Sequence, residues 1–306
     1  MTEIFPIRSR SLAESRPGDD LTSEILFPPD RVGVMAVLNL TPDSFSDGGA
    51  FFDSSGGVRQ KALHDATQGF REARVDLIDV GGESTRPGAV AVTASEEILR
   101  VEGTIACLVE EGDIPVSIDT QKAEVARRAI RAGARVINDV SGLVTDPELA
   151  DVAAETGAVL ILGHMRGTPA TMQESPRFED TLEEVACEIE ASVDRARSAG
   201  VSTARLIIDP GIGFGKRLED NLQLIAGAGW LRGRLGLPVL LGPSRKAFIG
   251  ELTGDPVEDR DLATQSVCAV AAFAGADAVR VHDARGARRA VTLGRALRDA
   301  RRKDRA

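Results

Sequence analysis

The sequence contains no tyrosine, one tryptophan (Trp230) and three cysteines (Cys107, Cys187 and Cys268). The scarcity of large aromatics argues against a stacking platform for single-stranded nucleic acid. An odd number of widely spaced cysteines argues against a disulfide framework and a CxxC metal site, and it suits a reducing, cytoplasmic setting. Basic residues are outnumbered: 37 Lys and Arg face 47 Asp and Glu, a net charge of −10. A general nucleic-acid coat is therefore not expected, and any anionic ligand must be met by local donors. No apolar run reaches the roughly 18 residues of a membrane span. The opening residues, "MTEIFPIRSRSLAESRPGDDL", lack the apolar centre of a signal peptide.

What the chain does have is repetition. Eight short aliphatic runs occur at 34–39, 76–80, 115–119, 135–139, 158–164, 205–209, 238–242 and 277–281. They are nearly continuous in apolar character, as strands buried on both faces should be. Amphipathic stretches separate them. In "TLEEVACEIEASVDRARSAG" (181–200), Leu182, Val185, Ile189, Val193 and Ala196 recur at three- and four-residue steps. Thr181 with Glu184 reads as a capping box there, and Gly200 as the C-terminal cap. Strand–helix alternation implies parallel strands with right-handed crossovers. Eight units in 306 residues predict an α/β protein, a (β/α)8 TIM barrel over 31–306, with residues 1–30 as a short N-terminal extension that is either a partly flexible flanking arm or a cap on the barrel floor. The competing architecture, an open doubly wound sheet, lacks its glycine fingerprints here.

Nearly every run ends in a polar residue: Asn39, Asp79, Asp119, Asn138 with Asp139, His164, Asp209, Ser244 to Lys246 just beyond the seventh, and Arg280 with His282. One such Asp is often only the N-cap of the next helix. Eight at the same strand end point instead to a ligand site at the barrel mouth. Asp119, Asn138 and Asp209 suit the edge of a flat heterocycle bearing amino and oxo groups. Arg280 suits stacking on such a ring or gripping phosphate. His64 reads as a surface residue, His164 as either a packed core histidine or a catalytic one, and the Arg-rich C-terminal stretch as a solvated last helix with a frayed end.

Eight segments carry a resemblance: "LNLTPDSFSDGG" (38–49), "DVGGESTRPGA" (79–89), "SIDTQKAEVA" (117–126), "INDVSG" (137–142), "GHMRGTPATMQ" (163–173), "DPGIGFGK" (209–216), "GPSRKAFIG" (242–250) and "RVHD" (280–283). In order, one per barrel unit, they resemble the motif set of the dihydropteroate synthase family of pterin-binding barrels. The resemblance implies a transferase that condenses p-aminobenzoate with hydroxymethyl-dihydropterin pyrophosphate in folate biosynthesis, releasing pyrophosphate. It implies that Asp119, Asn138, Asp209, Gly242, Lys246 and Arg280 bind the pterin, and that Asn39, Thr85, Arg280 and His282 hold the pyrophosphate. It places Mg2+ at Asn39 and p-aminobenzoate among Phe45, Arg86, Pro87, Phe214, Ser244 and Lys246. Asn39, Asp119, Asp209, Lys246, Arg280 and His282 are the residues expected to carry the chemistry.

The resemblance also implies a cytoplasmic homodimer joined through outer helices, with small-molecule substrates and neither nucleic acid nor membrane as partner. Phe45, Pro87 and Ser244 are of the usual types, which predicts ordinary sulfonamide inhibition competitive with p-aminobenzoate. One position departs from the pattern. Methionine usually precedes the histidine, and here it is Gly163. The expected consequence is a looser pterin pocket, unless a neighbour such as Met165 fills the space. Gly163 is also the sole support for an alternative reading, a non-catalytic synthase-like paralogue that binds pterin or sulfonamide.

Overall fold

A computed structural model describes residues 21–41, 59–85 and 91–303. In chain order the elements are α1 (Ser23–Leu26), β1 (Gly33–Asn39), α2 (Gln60–Glu72), β2 (Leu77–Gly81), α3 (Ala94–Glu111), β3 (Val116–Asp119), α4 (Ala123–Arg131), β4 (Val136–Asp139), α5 (Leu149–Thr156), β5 (Val159–Leu162), α6 (Thr181–Ser198), β6 (Leu206–Ile208), α7 (Leu218–Ala226), α8 (Ala228–Leu235), β7 (Leu240–Leu241), α9 (Ala247–Thr253), α10 (Asp261–Ala274), β8 (Ala278–Val281) and α11 (Ala284–Lys303). All eight expected strands form. They pair in parallel in the order β6-β5-β4-β3-β2-β1-β8-β7. A single parallel bridge from Ile208 to Val239 joins the two ends and closes the barrel. An open doubly wound sheet would leave β6 and β7 as unpaired edges.

Strand residues alternate between two apolar layers, as the period of two requires. One parity (Val34, Ala36, Ile78, Ile118, Ile137, Leu160, Leu162, Ile208, Val279) packs outward against the helices. The other (Met35, Leu77, Val136, Val159, Ile161, Ile207, Leu240, Ala278) fills the barrel interior. That interior cluster continues into Leu21, Leu26 and Phe27. The segment entering β1 therefore caps the barrel floor, each buried aliphatic or aromatic side chain contributing about 1.5–3 kcal/mol. The floor is pinned from outside as well. Arg288 of α11 donates to the carbonyl oxygens of Val32 and Arg74 at 2.7 Å, and Arg295 donates to that of Pro29 at 2.8 Å.

Those contacts correct the expectation of a merely solvated last helix. Ala284, Ala287 and Val291 of α11 are buried, and two of its arginines hold backbone carbonyls at the barrel floor. A second correction concerns α6. Its N-cap is Asp180, whose side chain accepts from the Glu183 amide at 3.2 Å. Thr181 is already inside the helix and donates its hydroxyl to Asp220 Oδ1 at 2.7 Å. Glu184 does reach back, accepting from the amides of Glu179 and Asp180. Gly200 follows the helix end with φ 100°, as a C-terminal glycine should.

Candidate active site

The interior parity that is apolar at the floor turns polar at the other end of the barrel. Two residues beyond Leu77 stands Asp79; beyond Val136, Asn138; beyond Ile207, Asp209; beyond Ala278, Arg280 and then His282. Ser117 and Asp119 continue the same row on β3. The strand C-termini open into a cleft of about 1720 Å³ lined by Asn39, Thr85, Asp119, Asn138, Asp209, Phe214, Gly242, Ser244, Lys246, Arg280 and His282. Phe45, Arg86 and Pro87 lie outside the described residues, so the p-aminobenzoate side of the expected set is represented by Phe214, Ser244 and Lys246.

At the bottom of the cleft Arg280 is fixed by two carboxylates. Its Nε donates to Asp79 Oδ2 and its Nη2 to Asp119 Oδ2, both at 2.6 Å. Asn138 Nδ2 also donates to Asp79 Oδ2, at 3.1 Å. Asp79 is fully buried and organises Arg280 and Asn138 from beneath. Sequence reasoning read it as a strand-end polar residue but gave it no place in the site. The signal that finds it is parity, since it shares the interior row with Leu77. Burial, followed by the charges of Asp79, Glu97 and Asp139, pushes the Asp119 carboxyl up to about 7, against the pull of Arg280. Burial also raises Asp209, against the Gly211 amide, which donates to Asp209 Oδ1 at 2.8 Å, and against Lys246 and Arg280. Two buried carboxyls that hold protons more readily than usual, beside an amide and a guanidinium, offer both donors and acceptors to a heterocycle edge.

Higher in the cleft, the Lys246 ammonium sits 3.8 Å from the centre of the Phe214 ring, a cation–π pair that presents one flat face and one charge. Ser244 Oγ accepts from the His282 backbone amide at 3.2 Å and lies 2.9 Å from His282 Nδ1. The Ser244 contact on Nδ1 leaves Nε2 as the ring nitrogen that faces away from Ser244. The base of the 79–93 loop is anchored by Glu83. Its Oε1 accepts from the Val92 amide and its Oε2 from Lys122 Nζ, each at 2.9 Å, while Lys122 also pairs with buried Glu97 at 2.6 Å.

Parity also sorts the residues that do not belong to the cleft. Asp139 and His164 fall on the outward rows. Asp139 accepts from Ser141 Oγ at 2.7 Å and from the Ser141 and Leu143 amides, bracing a turn in which Leu143 has φ 65°. His164 packs behind the sheet against Glu188 and Lys216. Burial, then the Lys216 charge, pushes its imidazole down to about 4, so it is neutral near pH 7. His64 lies on α2 with half of its side chain exposed.

Gly163 is explained by packing. A Cβ there would lie 2.5 Å from both Cα and O of Val140. The β5 exit thus presses on the backbone of the β4 exit, and the missing side chain would point at main chain. Met172, not Met165, is the methionine that lines the cleft.

Of the three cysteines, none lines the cleft among the described residues. Burial pushes the Cys268 thiol up to about 12, so it stays protonated. Among the described residues no helix is long and apolar enough to cross a membrane.

The family described as pterin binding enzyme matches residues 35–282. The chain is 46% identical over 254 residues to the dihydropteroate synthase of a Synechocystis strain, covering 83% of this chain and 86% of the relative. A crystal structure of the Yersinia pestis dihydropteroate synthase with a sulfonamide drug superposes with a TM-score of 0.81 at 39% identity, covering 88% of this chain and 95% of that one. The Xanthomonas albilineans dihydropteroate synthase with 4-aminobenzoic acid superposes with a TM-score of 0.78 at 42% identity, over 88% and 93%. With its closed barrel and a polar row at the strand C-termini, the chain belongs to the dihydropteroate synthase family of pterin-binding enzymes.

Proposed function

We propose that this chain is a dihydropteroate synthase, a transferase of folate biosynthesis. The amine nitrogen of p-aminobenzoate bonds to the exocyclic methylene of the dihydropterin, the carbon–oxygen bond to pyrophosphate breaks, pyrophosphate departs with the electron pair, and the nitrogen releases one proton to solvent. The observation that carries this reading is the interior row itself: Asp119, Asn138 and Asp209 sit at the cleft floor beside Arg280, with His282 and the Lys246–Phe214 pair above. The three floor side chains and Gly242 receive the pterin edge, and Arg280 covers the ring. Asn39, Thr85, Arg280 and His282 receive the pyrophosphate. Phe214, Ser244 and Lys246, with Phe45, Arg86 and Pro87, border p-aminobenzoate.

The electron-rich ring stabilises positive charge at the methylene, so the enzyme's contribution is positioning and neutralisation of the leaving group. Arg280, held between two carboxylates, is preorganised for that task. His282, with Ser244 on Nδ1, turns Nε2–H to a phosphate oxygen. No covalent nucleophile is used.

Asn39 offers one neutral oxygen, and the described residues contain no cluster of three or more His, Cys, Asp or Glu that could cage an ion. That donor set fits Mg2+, which keeps waters and takes phosphate oxygens alongside a single protein ligand. The chemistry such an ion would supply at Asn39 is neutralisation of charge on pyrophosphate. The paralogue reading rested on Gly163, and the Val140 contact removes that ground.

The cytoplasm is the setting in this reading. A homodimer is also part of it, supported by exposed Leu262, Phe273, Leu293 and Leu297 on outer helices α10 and α11. The test of function is product identity. Mass spectrometry should find dihydropteroate only when both substrates are present, with a sulfonamide raising the KM for p-aminobenzoate. Substrate binding without any dihydropteroate would refute the reading.

A further inference from the structure

Lys216 is a buried cation that the proposed chemistry leaves unused. It closes the 209–216 turn at the wall of the cleft and is 4% exposed. Its Nζ lies 3.0 Å from the Phe214 carbonyl oxygen, 3.1 Å from that of Gly211, 3.0 Å from His164 Nδ1 and 3.5 Å from the His164 carbonyl oxygen. Three ammonium hydrogens are thus met by acceptors from two loops. The turn needs such a centre. Gly211, Gly213 and Gly215 all have positive φ, between 60° and 80°, and Lys216 gathers the Gly211 carbonyl, which also accepts from the Phe214 amide at 3.0 Å, together with that of Phe214.

His164 is held in turn. With Nδ1 accepting from Lys216, Nε2–H donates to Glu188 Oε2 at 2.8 Å. Glu188 sits on α6, where Arg166 also pairs with it at 3.0 Å. The His164 hydrogen bond, then Arg166, hold the Glu188 carboxyl down to about 2. Burial pushes the Lys216 amine down to about 7, opposed by Asp209, Glu188 and Asp220 and assisted by Arg166. A charged amine there depends on these surroundings. The line from Glu188 through His164 and Lys216 ends on the carbonyl of Phe214, the residue whose ring carries Lys246.

We propose that Lys216, seated on the His164–Glu188 pair, is a positioning residue for the aromatic-amine side of the cleft, fixing the Phe214 ring beneath Lys246 from behind the sheet. The proposal rests on the synthase reading for the identity of that amine. The pterin side faces the Lys216 charge through Asp209 but has an anchor of its own. Asp209 is tied to the sheet itself, its amide donating to the Leu162 carbonyl at 2.9 Å.

The test compares Lys216→Met, His164→Leu and His164→Asn with wild type. The Asn carboxamide offers an acceptor where Nδ1 lies, and Leu does not. K216M and H164L should raise the KM for p-aminobenzoate about tenfold or more, with the Kd for pterin pyrophosphate within about threefold of wild type. H164N should restore that KM to within about threefold. Hydrogen exchange of the 211–216 amides, measured without ligand, should quicken in K216M and H164L and stay near wild type in H164N.

A purely structural role predicts equal losses on both substrates and no rescue by Asn, and either result overturns the proposal. So does an unchanged KM with unchanged exchange. If K216M fails to fold, the two His164 variants give the same decision. If wild type makes no dihydropteroate, the synthase reading fails, and the exchange measurement still decides whether Lys216 holds the turn.

Discussion

Replacing Arg280 by methionine keeps most of the side-chain volume and removes the charge between Asp79 and Asp119. In the intact protein, two hydrogen bonds of 2.6 Å tie the guanidinium to these carboxylates, one fully buried and the other 8% exposed. Breaking a buried ion pair by deleting one partner typically costs about 3–5 kcal/mol, because the other charge is left without compensation. The cost depends on pH. Asp119 titrates at about 7 when folded against an ordinary 3.8. The folded state therefore binds more protons than the unfolded one between those values, and stability falls as pH rises through that window. Losing Arg280 lifts the folded value further, so the variant goes on losing stability above pH 7, where wild type has levelled.

Denaturant unfolding should accordingly show R280M about 3–5 kcal/mol below wild type at pH 8.5. The gap should narrow by at least about 1 kcal/mol at pH 5, where Asp119 is protonated in both proteins. Turnover should fall about 100- to 1000-fold, as expected when one preorganised donor to a developing charge is removed. A gap that widens toward low pH, or a variant as stable as wild type at pH 8.5, would refute the arrangement.

Three further expectations are separate from this one. Gly163→Ala places a methyl carbon 2.5 Å from Val140 backbone atoms and should cost about 2–3 kcal/mol in thermal or denaturant unfolding. Asn39→Ala should raise the Mg2+ concentration for half-maximal pyrophosphate release about tenfold, with the KM for p-aminobenzoate little changed. On the proposed homodimer, wild type should sediment as a dimer in analytical ultracentrifugation and Leu293→Glu on α11 as a monomer.

Much of the architecture was legible because parallel strands buried on both faces leave continuous apolar runs, and eight such runs can be counted. The mouth was legible because polar residues close those runs. The strand-end list did not separate neighbours. Asn138 and Asp139 read alike, yet one faces the cleft and the other braces a turn. His164, at the β5 exit, likewise packs behind the sheet against Glu188 and Lys216. The period of two carries that distinction, since a shift of one residue moves a side chain to the opposite face. It can be applied from sequence once a floor residue such as Val136 or Val159 is assigned to the interior.

The support behind the sheet was not legible. Lys216, His164 and Glu188 come from three segments, 52 and 24 residues apart in the pairs that bond, and only the closed barrel brings them into line. Likewise, nothing in an Arg-rich C-terminal helix announces that Arg288 and Arg295 reach carbonyls beside β1.

The division between an inward row that binds and an outward row that supports is best tested by equilibrium titration of pterin pyrophosphate into wild type, Asp209→Ala and His164→Asn. Asp209 and His164 stand at neighbouring strand ends, on opposite faces of the barrel wall. The account predicts that D209A loses about 100-fold or more in affinity, with a buried polar partner gone from the ring edge, while H164N binds within about threefold of wild type. Equal losses in both variants, or wild-type affinity in D209A, would contradict it.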